Sequence, residues 1–293
     1  MKPIGFGAMK GAGLVPLGVA IAALSPLAAL GWIEAAWTRK QLAKPARVRR
    51  TLEELGIATA GKRVECRRLG QGEMNAVFLV ELHGAGAPER IVLKHTLRFG
   101  TLLGWAAREF GAMREYPRAL GRRARFAREV RALRELRAAG IAVPRCLGTS
   151  ARSLAMALEW IDGPSLAFEL ARGDASALAG ELGTLLARMH ARGLAMGDAN
   201  PRNVAVAHRG LVPFDLEVSH PVAGERARGF DIAWASAFLP SDAAREAFFA
   251  AYGPRTTELD AAIAAARTHL ARFWPLVDLY AWRWRRADSG RAA

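Results

Sequence analysis

Asp198 and Asn203 stand five residues apart in Gly197-Asp198-Ala199-Asn200-Pro201-Arg202-Asn203-Val204, and Asp215 ends the short apolar run Leu211-Val212-Pro213-Phe214 twelve residues later. Phosphoryl transfer from ATP needs one carboxylate to orient the attacking hydroxyl. It also needs an amide and a second carboxylate to hold the metal that bridges the phosphates. Asp198 suits the first task, and Asn203 with Asp215 the second, with magnesium as the metal. An Asp-x-x-x-x-Asn spacing also arises in ordinary loops, and Asn200-Pro201 is a common turn signal. Order gives the pattern its weight, because the other parts of an ATP site precede it in the chain.

Residues 63–72 and 75–82 read as two strands joined by the turn Gly70-Gln71-Gly72-Glu73-Met74. Gly70 and Gly72 would let backbone N–H groups approach a phosphate without obstruction by a Cβ. An ordinary hairpin uses glycines in the same way, and Asn75 stands where a third glycine would complete a Gly-x-Gly-x-x-Gly loop. A third strand, Arg90-Ile91-Val92-Leu93-Lys94-His95, brings Lys94 to its end as the amine for the α/β-phosphates. The arginine-rich stretch 121–139 is helical in pattern: Phe126, Val130, Leu133 and Leu136 form one apolar stripe, and Gly140 ends it. Glu129 lies beside the stripe and is expected to pair with Lys94; Glu135, among the outward arginines, is the fallback. Strands are expected near 145–149 and 154–161. The end of the second, Glu159-Trp160-Ile161, is where a hinge would receive adenine, with Glu159 and Ile161 as the nucleotide contacts.

With these parts in order, the chain resembles the protein-kinase-like superfamily, and its atypical, small-molecule branch more than eukaryotic protein kinases. Gly72-x-x-Asn75-x-x-Phe78 resembles the nucleotide loop of aminoglycoside and choline phosphotransferases. Arg128-Glu129 through Gly140-Ile141-x-Val143-Pro144 resembles the helix and turn that follow in those enzymes. The run from His190 through Gly197-Asp198 to Asn203 is similar to their catalytic loop, and to that of the small atypical kinase of a tRNA-modification machinery. The resemblance covers about residues 57–253. It implies that Asp231, in Gly229-Phe230-Asp231-Ile232, braces the catalytic loop from a helix beginning near Arg226. Three departures stand out. Met196 occupies a place where these families commonly have histidine, and Asp215-Leu216-Glu217 replaces Asp-Phe-Gly, which speaks against a movable activation segment. About ten residues separate Asp215 from the helix near Arg226, too few for a long substrate-docking loop.

The remaining sequence bears on location. Residues 11–33 carry no charge and as a helix would span about 35 Å, enough for a hydrocarbon core of about 30 Å. Trp32 and Trp37 sit at one end, followed by Arg39, Lys40, Lys44, Arg47, Arg49 and Arg50, a flank that would keep the rest of the chain on the cytoplasmic face of a membrane. Pro16 and Pro26 weaken a full crossing and leave open a segment that lies on the membrane or packs on the protein. The formal net charge is +15, and residues 97–140 hold eleven arginines against four glutamates. An anionic membrane surface is the expected partner; nucleic acid is the less favoured one. The only two cysteines, Cys66 and Cys146, show no metal or disulfide spacing. Phe273, Trp274, Tyr280, Trp282 and Trp284 interleave with basic residues at the far end, as a packed terminal helix or an interfacial contact would.

The expected fold is α+β: a protein-kinase-like, two-lobed chain with a β-rich upper lobe above a mostly helical lower lobe. Residues 1–40 form the apolar N-terminal segment, 41–56 a basic linker, 57–163 the upper lobe and 164–293 the lower lobe. The expected activity is a kinase transferring the γ-phosphoryl group of ATP to a hydroxyl of a small-molecule, sugar or lipid-linked acceptor. A serine/threonine protein kinase and a non-catalytic nucleotide-binding scaffold in a tRNA-modifying assembly are the alternatives. The intact Lys94, Asp198, Asn203 and Asp215 argue against the scaffold.

Overall fold

The computed structural model describes residues 38–69, 75–97, 121–173, 175–222 and 224–271. The glycine turn with Gly70 and Gly72, the apolar segment 11–33, residues 98–120 and the aromatic stretch 273–286 lie outside the described residues. Among the described residues no helix is long and apolar enough to cross a membrane.

The upper part is an antiparallel sheet of five strands in the order β1-β2-β3-β5-β4: β1 Arg63–Arg68, β2 Asn75–His83, β3 Glu89–Thr96, β4 Cys146–Ser150 and β5 Ala155–Glu159. Side chains alternate between its faces. Phe78 and Val80 of β2 pair with Leu93 and Ile91 of β3, and all four are buried in one apolar cluster. The intervening residues, Lys94 among them, face the opposite side, where helix α2 (Arg122–Ala138) carries Glu129.

Residues 45–54 differ from the expected linker. They form helix α1 (Pro45–Glu54), with Pro45 in the first turn, where its missing N–H costs nothing. Val48, Leu52 and Leu55 recur at helical spacing and pack on the sheet's Phe78, Val80, Ile91 and Leu93. Each such buried side chain is worth about 2 kcal/mol, so α1 is an integral layer of the upper lobe. Its many arginines look like a solvated tether in the sequence. The same face of β3 buries His95, whose Nε2 has no hydrogen-bond partner among the described residues.

Burial, reinforced by the Arg122 and Arg47 guanidinium groups and only partly opposed by Glu54, pushes His95 down to about 4. A neutral buried histidine contributes stability above its unfolded value near 6.5 that is lost as pH falls toward the folded value. Acidification through that window is expected to cost up to about 3 kcal/mol. Urea unfolding midpoints at neutral and mildly acidic pH should show this, and His95→Gln should flatten the dependence.

Below the sheet lie α3 (Leu166–Leu170), α4 (Ala175–Ala191), α5 (Glu225–Ala237), α6 (Asp242–Tyr252) and a helical stretch α7 at 257–271. Gly183 lets α4 touch α6, since a Cβ there would lie 2.3 Å from Phe248 O. Phe126, Val130, Leu133 and Leu136 of α2 belong to the same continuous core as Leu182, Leu186 and Phe248 of the helical part. The packing boundary therefore differs from the chain boundary: α2 shares its apolar face with the lower lobe.

Candidate active site

Between the lobes, two short pieces of antiparallel structure set the chemistry. Strands β7 (Val204–Ala207) and β8 (Gly210–Pro213) form a hairpin in which Val204 pairs with Pro213. Asn203 immediately precedes the first strand and Asp215 closely follows the second, so both emerge at the open end of one hairpin. Phe214 N–H donates to Asn203 O at 2.8 Å and fixes that end. Likewise β6 (Leu194–Ala195) pairs with β9 (His220–Pro221), tying the loop before Asp198 to the segment after Asp215.

Gly197 makes this possible. Its φ is +78°, and a Cβ would fall 2.4 Å from Val218 O, so any side chain would push the two segments apart.

Asp231, fully buried on α5, accepts from Met196 N at 2.6 Å and Gly197 N at 2.8 Å. It also accepts from His190 Nε2 at 3.1 Å. His190 Nδ1 lies 2.9 Å from the Tyr252 hydroxyl, which accepts from Arg228 at 3.2 Å. Met196 itself is a core residue with no exposure. The departure from histidine at that place leaves Asp231's grip intact, because Asp231 uses only the backbone amide.

Asp198 is held on both sides: Asn203 Nδ2 donates to Oδ2 at 3.0 Å and Trp234 Nε1 to Oδ1 at 2.6 Å. Asn203's amide nitrogen is thus turned to Asp198, so the amide oxygen is the end that could ligate a cation.

Lys94 lies 2.7 Å from Glu129 and 2.5 Å from Asp215 Oδ1. Glu129 is the partner and not Glu135, which is half exposed and faces Arg131 at 3.8 Å. A second buried pair runs parallel one helix turn away: Arg125 Nη1 lies 2.6 Å from Glu217 Oε2, and Arg125 Nη2 donates to Leu97 O at 2.8 Å. Two cations therefore face three carboxylates, Glu129, Asp215 and Glu217, whose oxygens cluster within 4.8 Å.

Burial alone would lower the Lys94 amine, but Asp215, Glu129 and Glu217 outweigh it and hold the ammonium well above its usual range. Burial drives Glu129 upward, Lys94 opposes this, and the two neighbouring acids add to the rise. Asp215 has the left-handed conformation at φ 58°, rare for a residue with a side chain and concentrated at functional sites.

The donor set fits a hard divalent cation. Glu129 is committed to Lys94 and Glu217 to Arg125, whereas the Asp215 side chain is 38% exposed. Of the three carboxylates Asp215 is the one that reaches solvent, though its Oδ1 also pairs with Lys94, and with the part-buried Asn203 at the same end of the hairpin it could hold such a cation.

A model of the phosphotransferase enzyme family matches residues 65–288. The chain belongs to that family. It is accordingly a phosphotransferase of the protein-kinase-like superfamily, grouped with aminoglycoside and choline kinases, and its α+β architecture agrees. No curated protein matches the chain.

Several sequence expectations meet in this phosphotransferase site: Lys94, Glu129, Asp198, Asn203 and Asp215 converge, and Asp231 reaches the loop. At the hinge, Glu159 ends β5, but its carboxylate accepts from Arg209 at 3.2 and 3.3 Å and from Arg145 N at 3.0 Å. Any nucleotide contact at Glu159 or Ile161 is therefore left to the backbone. Asn75 is buried at the start of β2, and its Oδ1 has no partner among the described residues.

Trp234, Arg125 and Glu217 escaped the sequence reading. The signal for Trp234 was its place one turn beyond Asp231; for Arg125, its place one turn before Glu129. Both free cysteines are half-buried, and burial raises both thiols, Cys66 to about 11, so neither is a ready nucleophile.

Proposed function

We propose that this phosphotransferase is an ATP-dependent kinase that moves the γ-phosphoryl group to a hydroxyl of a small-molecule, sugar or lipid-linked acceptor. The observation that carries the reading is the convergence of Asp198 with Asn203 and of Lys94 with Asp215 at one cleft. Lys94, held by Glu129, contacts the phosphates. Asn203 and Asp215 hold magnesium, which supplies charge neutralisation across the phosphates when bound. Asp198 orients the acceptor hydroxyl and takes its proton. Backbone groups near Glu159 and Ile161 receive the adenine, and Gly70, Gly72 and Asn75 belong to the loop over the phosphates. Positioning and charge complementarity supply most of the acceleration.

Two features favour a membrane-facing acceptor. Arg123, Arg131, Arg134 and Arg137 are exposed along the outer face of α2, where they can meet anionic headgroups. The uncharged stretch 11–33 lies at the same end of the chain as α1 and gives the cytoplasmic domain a route to the bilayer.

Transfer of radiolabelled phosphate from ATP to membranes, soluble metabolites and protein, each offered separately, tests the reading. Label in a lipid or small-molecule fraction is the expected result. Label confined to protein would redirect the acceptor assignment, and a chain that neither binds nor consumes ATP would end it.

A further inference from the structure

Trp234 has no part in the mechanism above, yet its side chain touches the reacting end of the site. It follows Asp231 by three residues on α5, so one helix turn separates the group that braces the loop's backbone from one that reaches the loop's carboxylate. The indole Nε1–H donates to Asp198 Oδ1 at 2.6 Å, opposite the Asn203 amide on Oδ2 at 3.0 Å. A carboxylate turns freely about its last torsion, which has broad wells; two donors from separate elements remove that freedom. Asn203 alone fixes only one of the two carboxylate oxygens.

The ring is itself fixed. It stacks on Phe230 at 6.1 Å and 15° and meets Phe238 edge-on at 5.1 Å. Indole offers a donor and no acceptor, so this contact serves the ionised carboxylate. Both partners are half-buried, which strengthens a charge-assisted bond relative to one in water.

We propose that Trp234 is a positioning residue for phosphoryl transfer, fixing the orientation in which the Asp198 carboxylate meets the acceptor hydroxyl. This rests on the kinase reading of Asp198.

Two measurements on the full chain test it. In nitrogen-15-labelled protein, the indole N–H signal that vanishes in Trp234→Phe belongs to Trp234. Asp198→Ala is expected to move that proton upfield as the charge-assisted bond is lost; a signal indifferent to Asp198→Ala overturns the proposal. Phosphate release from magnesium-ATP, with water as acceptor, gives the kinetic arm. Trp234→Phe keeps the stacked ring and is expected to lower kcat about tenfold with the KM for ATP nearly unchanged. An unaltered kcat overturns the proposal, as does a KM that rises in step with the loss. Undiminished phosphate release by Asp198→Ala would instead remove the kinase reading, and the indole signal would still report whether the hydrogen bond exists.

Discussion

Asp198→Ala is expected to slow phosphoryl transfer by about a thousandfold, the scale of a lost positioned base, while ATP affinity changes by no more than about threefold. The asymmetry follows from the geometry. Asp198 bonds Asn203 and Trp234, whereas Lys94 pairs with Glu129 and Asp215, so the nucleotide half of the cleft keeps its contacts when Asp198 is truncated. The brace on the loop also survives, because Asp231 grips the amides of Met196 and Gly197 and not the Asp198 side chain. Single-turnover transfer combined with equilibrium ATP titration separates the two quantities. Turnover near the wild-type rate would remove Asp198 from the reaction. A parallel collapse of ATP affinity would mean that the loop had lost its shape.

How much of this could be read beforehand depends on whether a residue's role is local in sequence. The stripe Phe126, Val130, Leu133 and Leu136 fixed which face of α2 is buried, and that placed Glu129 inward and Glu135 outward, as found. The hairpin that brings Asn203 to Asp215 is local too, since Val204–Ala207 and Gly210–Pro213 are joined by two residues. Roles that depend on long-range packing were hidden. Arg125 sits among ten other arginines in residues 97–140 and carries no mark of burial, yet it is fully enclosed because Glu217, distant in sequence, lies opposite. The α1 segment reads as a charged tether until the sheet face that needs covering is known. The bond from Trp234 to Asp198 was hidden for the same reason, because in sequence Trp234 looks like any core aromatic of a helix.

The largest expected stability effect falls on that buried pair. Arg125→Met leaves the Glu217 carboxylate enclosed, beside Glu129 and Asp215 and without its cation, and should cost about 3–5 kcal/mol. Glu217→Leu strands the guanidinium in the same way, although Arg125 retains its bond to Leu97 O at 2.8 Å. The double variant Arg125→Met with Glu217→Leu removes both charges from the protein interior, where their chain neighbours Phe126 and Leu216 are also buried. Well-packed apolar replacements of a buried pair are often neutral, so the double variant should be clearly more stable than the sum of the two single losses implies. Urea unfolding of all four proteins measures the coupling. Strictly additive losses would show that the pair contributes no mutual stabilisation.

The functional consequence follows from the elements that the pair joins. Arg125 lies on α2 one turn before Glu129, and Glu217 lies two residues beyond Asp215, so the pair ties the helix whose Glu129 holds Lys94 to the segment that carries Asp215. A stable double variant should therefore bind ATP more weakly than the wild type even though neither replaced side chain is expected to touch the nucleotide. If it binds ATP with unchanged affinity, the shared apolar core of α2 is sufficient to set that register without the ion pair.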